Sequence, residues 1–334
     1  MQNEIKEKTL LLNKKGELNQ KGYAKMMNFI YNRENVKSFP LKLKEWNFYQ
    51  FLFDSYSLQI TLGHVSYMTS ASATLINLET KERYDIGCMK PLWSPVLDLN
   101  PEWPSNLVFE NETIRIEFDT KETKRVLKVN GSNKKYEHVE IEIEIENDLN
   151  NEKMVIATPF KKKTQFYLNY KENYYKVKGK VVFDELKLNF DNATGLIDWG
   201  RGVWPYKHEW FWGNMTSFIE GIPFGFNIGW GFGDLSNATE NMFFYNKKAY
   251  KLSNLIVERD VNNYMNPWHL RDEKGLMELH FTPIFDNYTE NKYVVIDTHC
   301  DQVYGYFDGY VVVDNEKKEI KHLLAFIEHA VNKW

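Results

Sequence analysis

Hydrophobic and polar residues alternate along much of this chain with a period of two. In Tyr136–Glu146, Val139, Ile141, Ile143 and Ile145 share one side, and Glu140, Glu142, Glu144 and Glu146 share the other. An extended backbone sends successive side chains to opposite faces, so the pattern predicts an antiparallel strand with one wet face. Thr113–Asp119 repeats it, with Ile114, Ile116 and Phe118 inward. The glutamate row reads as a solvated face rather than a cation site. Further strand-like runs are Trp46–Phe53, Tyr56–Leu62, Thr164–Tyr170, Tyr174–Phe183, Glu185–Phe190, Asn241–Tyr245, Tyr250–Glu258 and Tyr293–Thr298. Asn130-Gly131 and the polar run Asn147–Lys153 supply turns between strands.

Many short strands without alternating helices predict a mainly β, antiparallel barrel or sandwich rather than βαβ units. At 334 residues the chain is long for one domain, so two domains or one two-lobed structure is expected. No repeat of fixed period is visible. Three regions break the strand pattern. Residues 1–40 read as an irregular or partly helical lead-in, and Pro91–Pro104, with four prolines, as a long loop or flap. The ending, Glu319–Trp334, fits a helix through Leu323, Leu324, Ile327 and Ala330 and fits a closing strand equally well.

Composition narrows the function. There are 42 Lys plus Arg and 46 Asp plus Glu, a net charge of −4, and the longest basic run is only Lys161–Lys163. Nucleic acid is therefore not an expected partner. Cys88 and Cys300 lie far apart, which fits neither a structural zinc site nor a disulfide framework. No metal and no cofactor are expected. The polar opening is unlike a signal peptide, and no apolar run approaches the roughly 18 residues of a membrane span, so cytoplasm is the expected location. Aromatic residues make up 16% of the chain. That suits a β-rich core, an aromatic-lined cavity, or both.

Candidate chemistry concentrates between Gly195 and Asp234. Asp198, Arg201, His208, Glu209 and Asp234 stand among Trp199, Trp204, Trp210, Trp212 and Trp230. Charged groups beside large apolar surfaces are where desolvation shifts pKa values. Trp204-Pro205-Tyr206 is rigid and extended, because Pro205 fixes its own φ and disfavours helix at Trp204. Gly225, Asn227, Gly229, Gly231 and Gly233 then share one face of a strand, opposite Phe226, Ile228, Trp230 and Phe232. A bare face admits a ligand, another backbone or a bulky side chain, or marks a coiled corner covered by aromatics. Asp198 and Arg201 read as an ion pair, structural or catalytic. Glu240 follows the glycine strand, Trp268 precedes an isolated histidine, and His208-Glu209 lacks the second histidine of a zinc helix.

These motifs resemble a bacterial family catalogued as domain of unknown function 2804. The features that carry the resemblance are Asp198-Trp199-Gly200-Arg201-Gly202, Trp204-Pro205-Tyr206, Trp210-Phe211-Trp212-Gly213, Gly231-Phe232-Gly233-Asp234 and Thr239-Glu240-Asn241. Lys44-Glu45-Trp46, Pro267-Trp268 and Phe326-Ile327-Glu328-His329 extend it over nearly the whole chain. More distantly the pattern is similar to two-domain lipocalin-like proteins of the hydroxyneurosporene synthase and tocopherol cyclase type. The resemblance implies two lipocalin-like β lobes, at 41–190 and 191–334, after a lead-in at 1–40.

Three functions compete. One is an enzyme that hydrates, cyclises or isomerises an apolar small molecule, with Glu240 or Asp198 as the acid and Arg201 orienting a polar group. Trp204, Tyr206, His208, Trp210, Trp212, Asn227, Asp234 and Trp268 would line its site. An arginine paired to Asp198 would lower that acid's pKa and favour Glu240 as proton donor. The second is a carrier of a lipid-like ligand in a barrel mouth. The third is a carbohydrate-active protein with an acid and a base among Asp198, Glu209, Asp234 and Glu240.

Overall fold

The structure is a computed structural model that describes residues 2–65, 68–91, 99, 102–293 and 296–334. Its described residues form two large antiparallel sheets and no α-helix; Arg33–Asn35 and Pro40–Lys42 are single 3₁₀ turns. No described helix is long and apolar enough to cross a membrane.

Both sheets follow one construction. In the first, Lys44–Phe53, Tyr56–Val65, Met68–Asn77 and Arg83–Pro91 run outward as a meander. The chain then returns inward through Leu107–Glu110, Ile114–Thr120, Lys124–Gly131, Val139–Glu146 and Phe166–Phe183, and Ala193–Val203 closes against Lys44–Phe53. In the second, Lys207–Ile219, Ile222–Trp230, Met242–Tyr245 and Lys248–Lys251 run outward. Leu255–Glu258, Trp268–Asp272, Met277–Tyr293 and Ile296–Val313 return, and Glu316–Lys333 closes against Lys207–Ile219. The lobes are thus a structural repeat, two curled lipocalin-like half-barrels, although no sequence period announces it.

The alternation predicted for Thr113–Asp119 and Tyr136–Glu146 holds. Val139–Glu146 buries its valine and isoleucines, and the glutamate face is wet and paired with lysines, Glu144 to Lys124 and Glu140 to Lys180, both at 2.7 Å. Each lobe has its own apolar core: Tyr49, Phe51, Ile60 and Ile143 in the first, Phe226, Ile228, Phe307 and Ile327 in the second. A mixed seam joins them. Trp212, Tyr304 and Phe326 pack on Ile76 and Leu196, and the Tyr304 hydroxyl meets Gln50 and Ser57, each at 2.9 Å.

Several expectations change. The lead-in has no α-helix but the short strands Thr9–Leu10, Gly22–Ala24 and Phe29–Ile30, and Gly22–Ala24 pairs with Met154–Pro159 of the first lobe. Thr164–Tyr170 and Tyr174–Phe183 merge into one strand with a bulge after Tyr174. Tyr250–Glu258 splits, and its halves lie on opposite edges of the second sheet. The ending is a strand, since its alternate residues serve the two faces of a sheet. Most of Pro91–Pro104 and the centre of Tyr293–Thr298 lie outside the described residues. Finally, the change of sheet falls between Val203 and Lys207, one strand later than 190/191. The segment singled out in the sequence is therefore shared between the lobes.

Candidate functional site

Around the closing strands, the face of each sheet turned away from its own core looks toward the other lobe. Tyr49 and Phe51 point into the first core, so Trp46 and Phe48 must face outward. In the second lobe Val303 and Ile327 are core, which turns Gln302 and Glu328 outward. Between these faces lies a cavity of about 750 Å³, walled by both lobes. That size suits a ligand of drug-like dimensions. It opens between the lobes rather than in a barrel mouth.

The repeated construction places two matching units on this cavity. On the first lobe's closing strand, Asp198 pairs with Phe48, and Trp46 lies two residues before Phe48. On the second, Glu328 pairs with Trp212, and Trp210 lies two residues before Trp212. The offset is the same, and so is the contact. The Trp46 indole hydrogen-bonds the Asp198 carboxyl, and the Trp210 indole donates to Glu328 Oε1 at 2.8 Å. Glycine enables the first unit, because a Cβ on Gly200 would stand 2.5 Å from the Trp46 ring.

Lys171 and Glu240 complete the cluster. Lys171, paired across the sheet with Asp198, donates to Glu240 Oε2 at 2.9 Å and lies 3.9 Å from the Trp212 ring centroid. Asn227 donates to the same Oε2 at 3.0 Å and accepts from the Trp212 indole at 2.7 Å. The bare face of the glycine strand holds these groups: a Cβ on Gly229 would lie 2.2 Å from Glu240 Oε1. Gly225 makes room for Asn173 of the first lobe, which donates to the Met215 carbonyl at 2.5 Å. The strand itself ends at Trp230; Gly231 and Gly233 lie beyond it with positive φ, so the predicted alternation stops there.

Three carboxyl groups thus share one ammonium, and they cannot all ionise cheaply. Burial pushes Glu328 up to about 7; Trp210 and Lys171 oppose the shift, and Asp198 and Glu240 reinforce it. Glu328 keeps some accessible surface, but that surface belongs to the cavity wall. Burial also raises Asp198, against the pull of Lys171, Asn169 and Trp46. Glu240 accepts hydrogen bonds from an ammonium and an amide.

Of the residues selected from sequence, Asp198, Glu240, Trp210 and Trp212 line the cavity, and Asn227 supports it from behind. Arg201 does not meet Asp198. Three positions apart on one strand, they point to opposite faces, and Arg201 enters the first lobe beside Glu45, Asn47 and the Trp199 ring. Trp204 is buried with Trp46 and Tyr167 around Lys44, and its indole donates to His208 Nε2 at 3.1 Å. Burial lowers His208 to about 4. Tyr206 and Asp234 are exposed, and Asp234 accepts from the Ser236 backbone. Trp268 belongs to the second core against Phe281. Glu209 is exposed and faces His329 at 3.7 Å.

Sequence reading missed Glu328 and Lys171 as site residues. Glu328 sat in an ending equally compatible with a helix, where it would have had no strand partner. Trp46 stood in a quoted motif without a role, and its signal was the glycine across the ladder at Gly200.

Fold and site together define a two-lobed, lipocalin-like β protein with a ligand-sized cavity and a buried acid cluster between its lobes. The chain belongs to the family described as Domain of unknown function (DUF2804), which matches residues 2–334. Among solved structures it is similar to kievitone hydratase from Nectria haematococca, at 12% identity and TM-score 0.50, covering 86% of this chain and 88% of that one. It is also similar to a candidate AttH from Nitrosomonas europaea, at 10% identity and TM-score 0.47, covering 90% of this chain and 96% of that one. No curated protein matches the sequence.

Proposed function

We propose that this protein binds an apolar small molecule between its lobes and adds water across a carbon–carbon double bond, with Glu328 as the acid. The observation that carries this reading is a carboxyl raised to about 7 on the wall of the cavity between the lobes, beside Trp210 and Trp212 and near a second carboxyl that burial also raises. A general acid works best when its pKa lies near the operating pH. Glu328 gives its proton to one alkene carbon, and the indole face of Trp210 stabilises positive charge at the other. Asp198 takes a proton from water as the water oxygen bonds to that carbon. The π bond is replaced by one C–H and one C–O bond, and the proton returns from Asp198 to Glu328 through water. Lys171 and Glu240 set the local charge.

This differs from the assignment of Glu240 as acid and gives Arg201 no part in the chemistry. One similar structure is by name a hydratase, which is consistent with the proposal, although a likeness of fold alone is weak support for a shared reaction. The carbohydrate reading loses two of its four carboxylates, because Glu209 and Asp234 are exposed and outside the cavity lining.

The test is incubation with a panel of styrene-type and isoprenoid alkenes in heavy-oxygen water, read by mass spectrometry. Heavy oxygen should enter a product with the wild type and not with Glu328→Gln. A carrier function would instead give no product from any alkene, together with equal binding of the same compounds by both proteins.

A further inference from the structure

The second lobe carries a separate cluster on its solvent side, at the start of Met277–Tyr293. Trp268 and Leu270 point into the core, as do Leu279 and Phe281, so His269, Glu278 and His280 are turned outward together. Register fixes them: His269 pairs with His280, Arg271 with Glu278, and Glu258 with His269 on the other side. The two imidazoles lie parallel, 4.5 Å between centroids and 4° between planes. One donor atom from each of His269, Glu278 and His280 lies within 4.8 Å of the others.

We infer that His269, His280 and Glu278 form a binding site for a zinc-like divalent cation. Two imidazoles and a carboxylate are borderline donors of the kind that hold zinc, copper or nickel, whereas magnesium and calcium favour oxygen alone. Ligands about 2.0–2.1 Å from a tetrahedral ion stand about 3.3 Å from one another. His269 Nε2 and Glu278 Oε1 are already 3.0 Å apart, and the three residues offer donor atoms within 4.8 Å of one another.

The surrounding groups suit such an ion. Tyr310 donates to Glu278 Oε2 at 2.9 Å, which leaves Oε1 directed at His269. Glu258 Oε2 lies 3.5 Å from His269 Nδ1, which places a carboxylate behind the ring in the way outer carboxylates support metal-binding histidines. Arg271, across the ladder from Glu278, is drawn to Glu258 at 3.7 Å. Asp308 stands across the ladder from His280. A bound ion would staple Trp268–Asp272 to Met277–Tyr293, outside the residues that line the cavity.

The experiment is calorimetric titration of the full chain with zinc chloride, and separately with magnesium chloride. One zinc per chain should bind, with no magnesium uptake. His269→Asn/His280→Asn should weaken zinc at least about 100-fold, and Tyr310→Phe about 10-fold through loss of the outer contact. Melting curves should rise with zinc in the wild type, return with EDTA, and stay still in the double variant. These positions face solvent, and equal melting of both proteins in EDTA establishes that the double variant is folded. Absence of zinc binding by the wild type, or equal binding by the folded double variant, would overturn the inference.

Discussion

Lys171 and Glu240 come from different lobes and form a 2.9 Å ion pair against the face of Trp212. Lys171 is almost fully buried on the longest strand of the first sheet, and Glu240 follows the glycine strand of the second. The pair therefore fastens the two walls of the cavity at the point where the acids gather.

Removing one partner leaves the other charged and buried. Lys171→Met should lower unfolding free energy by about 3–5 kcal/mol in urea titrations. Adding Glu240→Gln should recover much of that loss. A double variant no more stable than Lys171→Met would contradict the pairing.

Gly229→Ala tests the same contact from behind. Its Cβ would fall 2.2 Å from Glu240 Oε1, so the carboxylate must shift from its place beside Lys171. A loss of about 1–3 kcal/mol is expected from overpacking. A variant of wild-type stability, with unchanged binding of an apolar fluorophore, would mean that the bare face is not needed for Glu240.

Glu328 makes a signed prediction about pH. Its folded pKa is about 7, above the ordinary 4.5, so the folded state binds the extra proton between those values. Stability from this group is fully present below about 4.5 and declines as pH rises to about 7. Glu328→Gln should therefore raise the melting temperature more at pH 8 than at pH 4. If the proposed chemistry holds, wild-type turnover falls above pH 7, and the variant loses about 10²–10⁴-fold in kcat while ligand affinity stays within a few-fold.

Arg201 should behave as a structural residue. Buried beside Glu45 and stacked on Trp199, its replacement by Met should cost about 3–5 kcal/mol. Turnover per folded molecule should stay at the wild-type level. A selective fall in kcat without destabilisation would restore it to the chemistry.

Much of the fold was legible because its signal is local. Val139–Glu146 reads as a strand from four apolar residues at alternate positions, and its neighbours follow the same rule. Half of the candidate site was legible for a similar reason: Asp198, Trp210, Trp212 and Glu240 announce themselves by carrying charge or indole in a glycine-rich context. Lys171 had no such context, since lysine within a tyrosine-rich strand looks like any snorkelling side chain. Glu328 was hidden by a periodicity that fits both 2.0 and 3.6.

The sequence by itself determined many of the strands, such as Val139–Glu146, and which of their faces are apolar, since side-chain direction follows from backbone geometry. It could not say which strands close each lobe, because that depends on pairing between residues far apart in the chain. Pairing of Ala193–Val203 with Lys44–Phe53, and of Glu316–Lys333 with Lys207–Ile219, is what creates the two tryptophan–carboxyl units. It also decided that Asp198 and Arg201 part company on opposite faces, and that Glu328, Lys171 and Glu240 meet between the lobes, where burial and neighbouring carboxylates push Glu328 up to about 7.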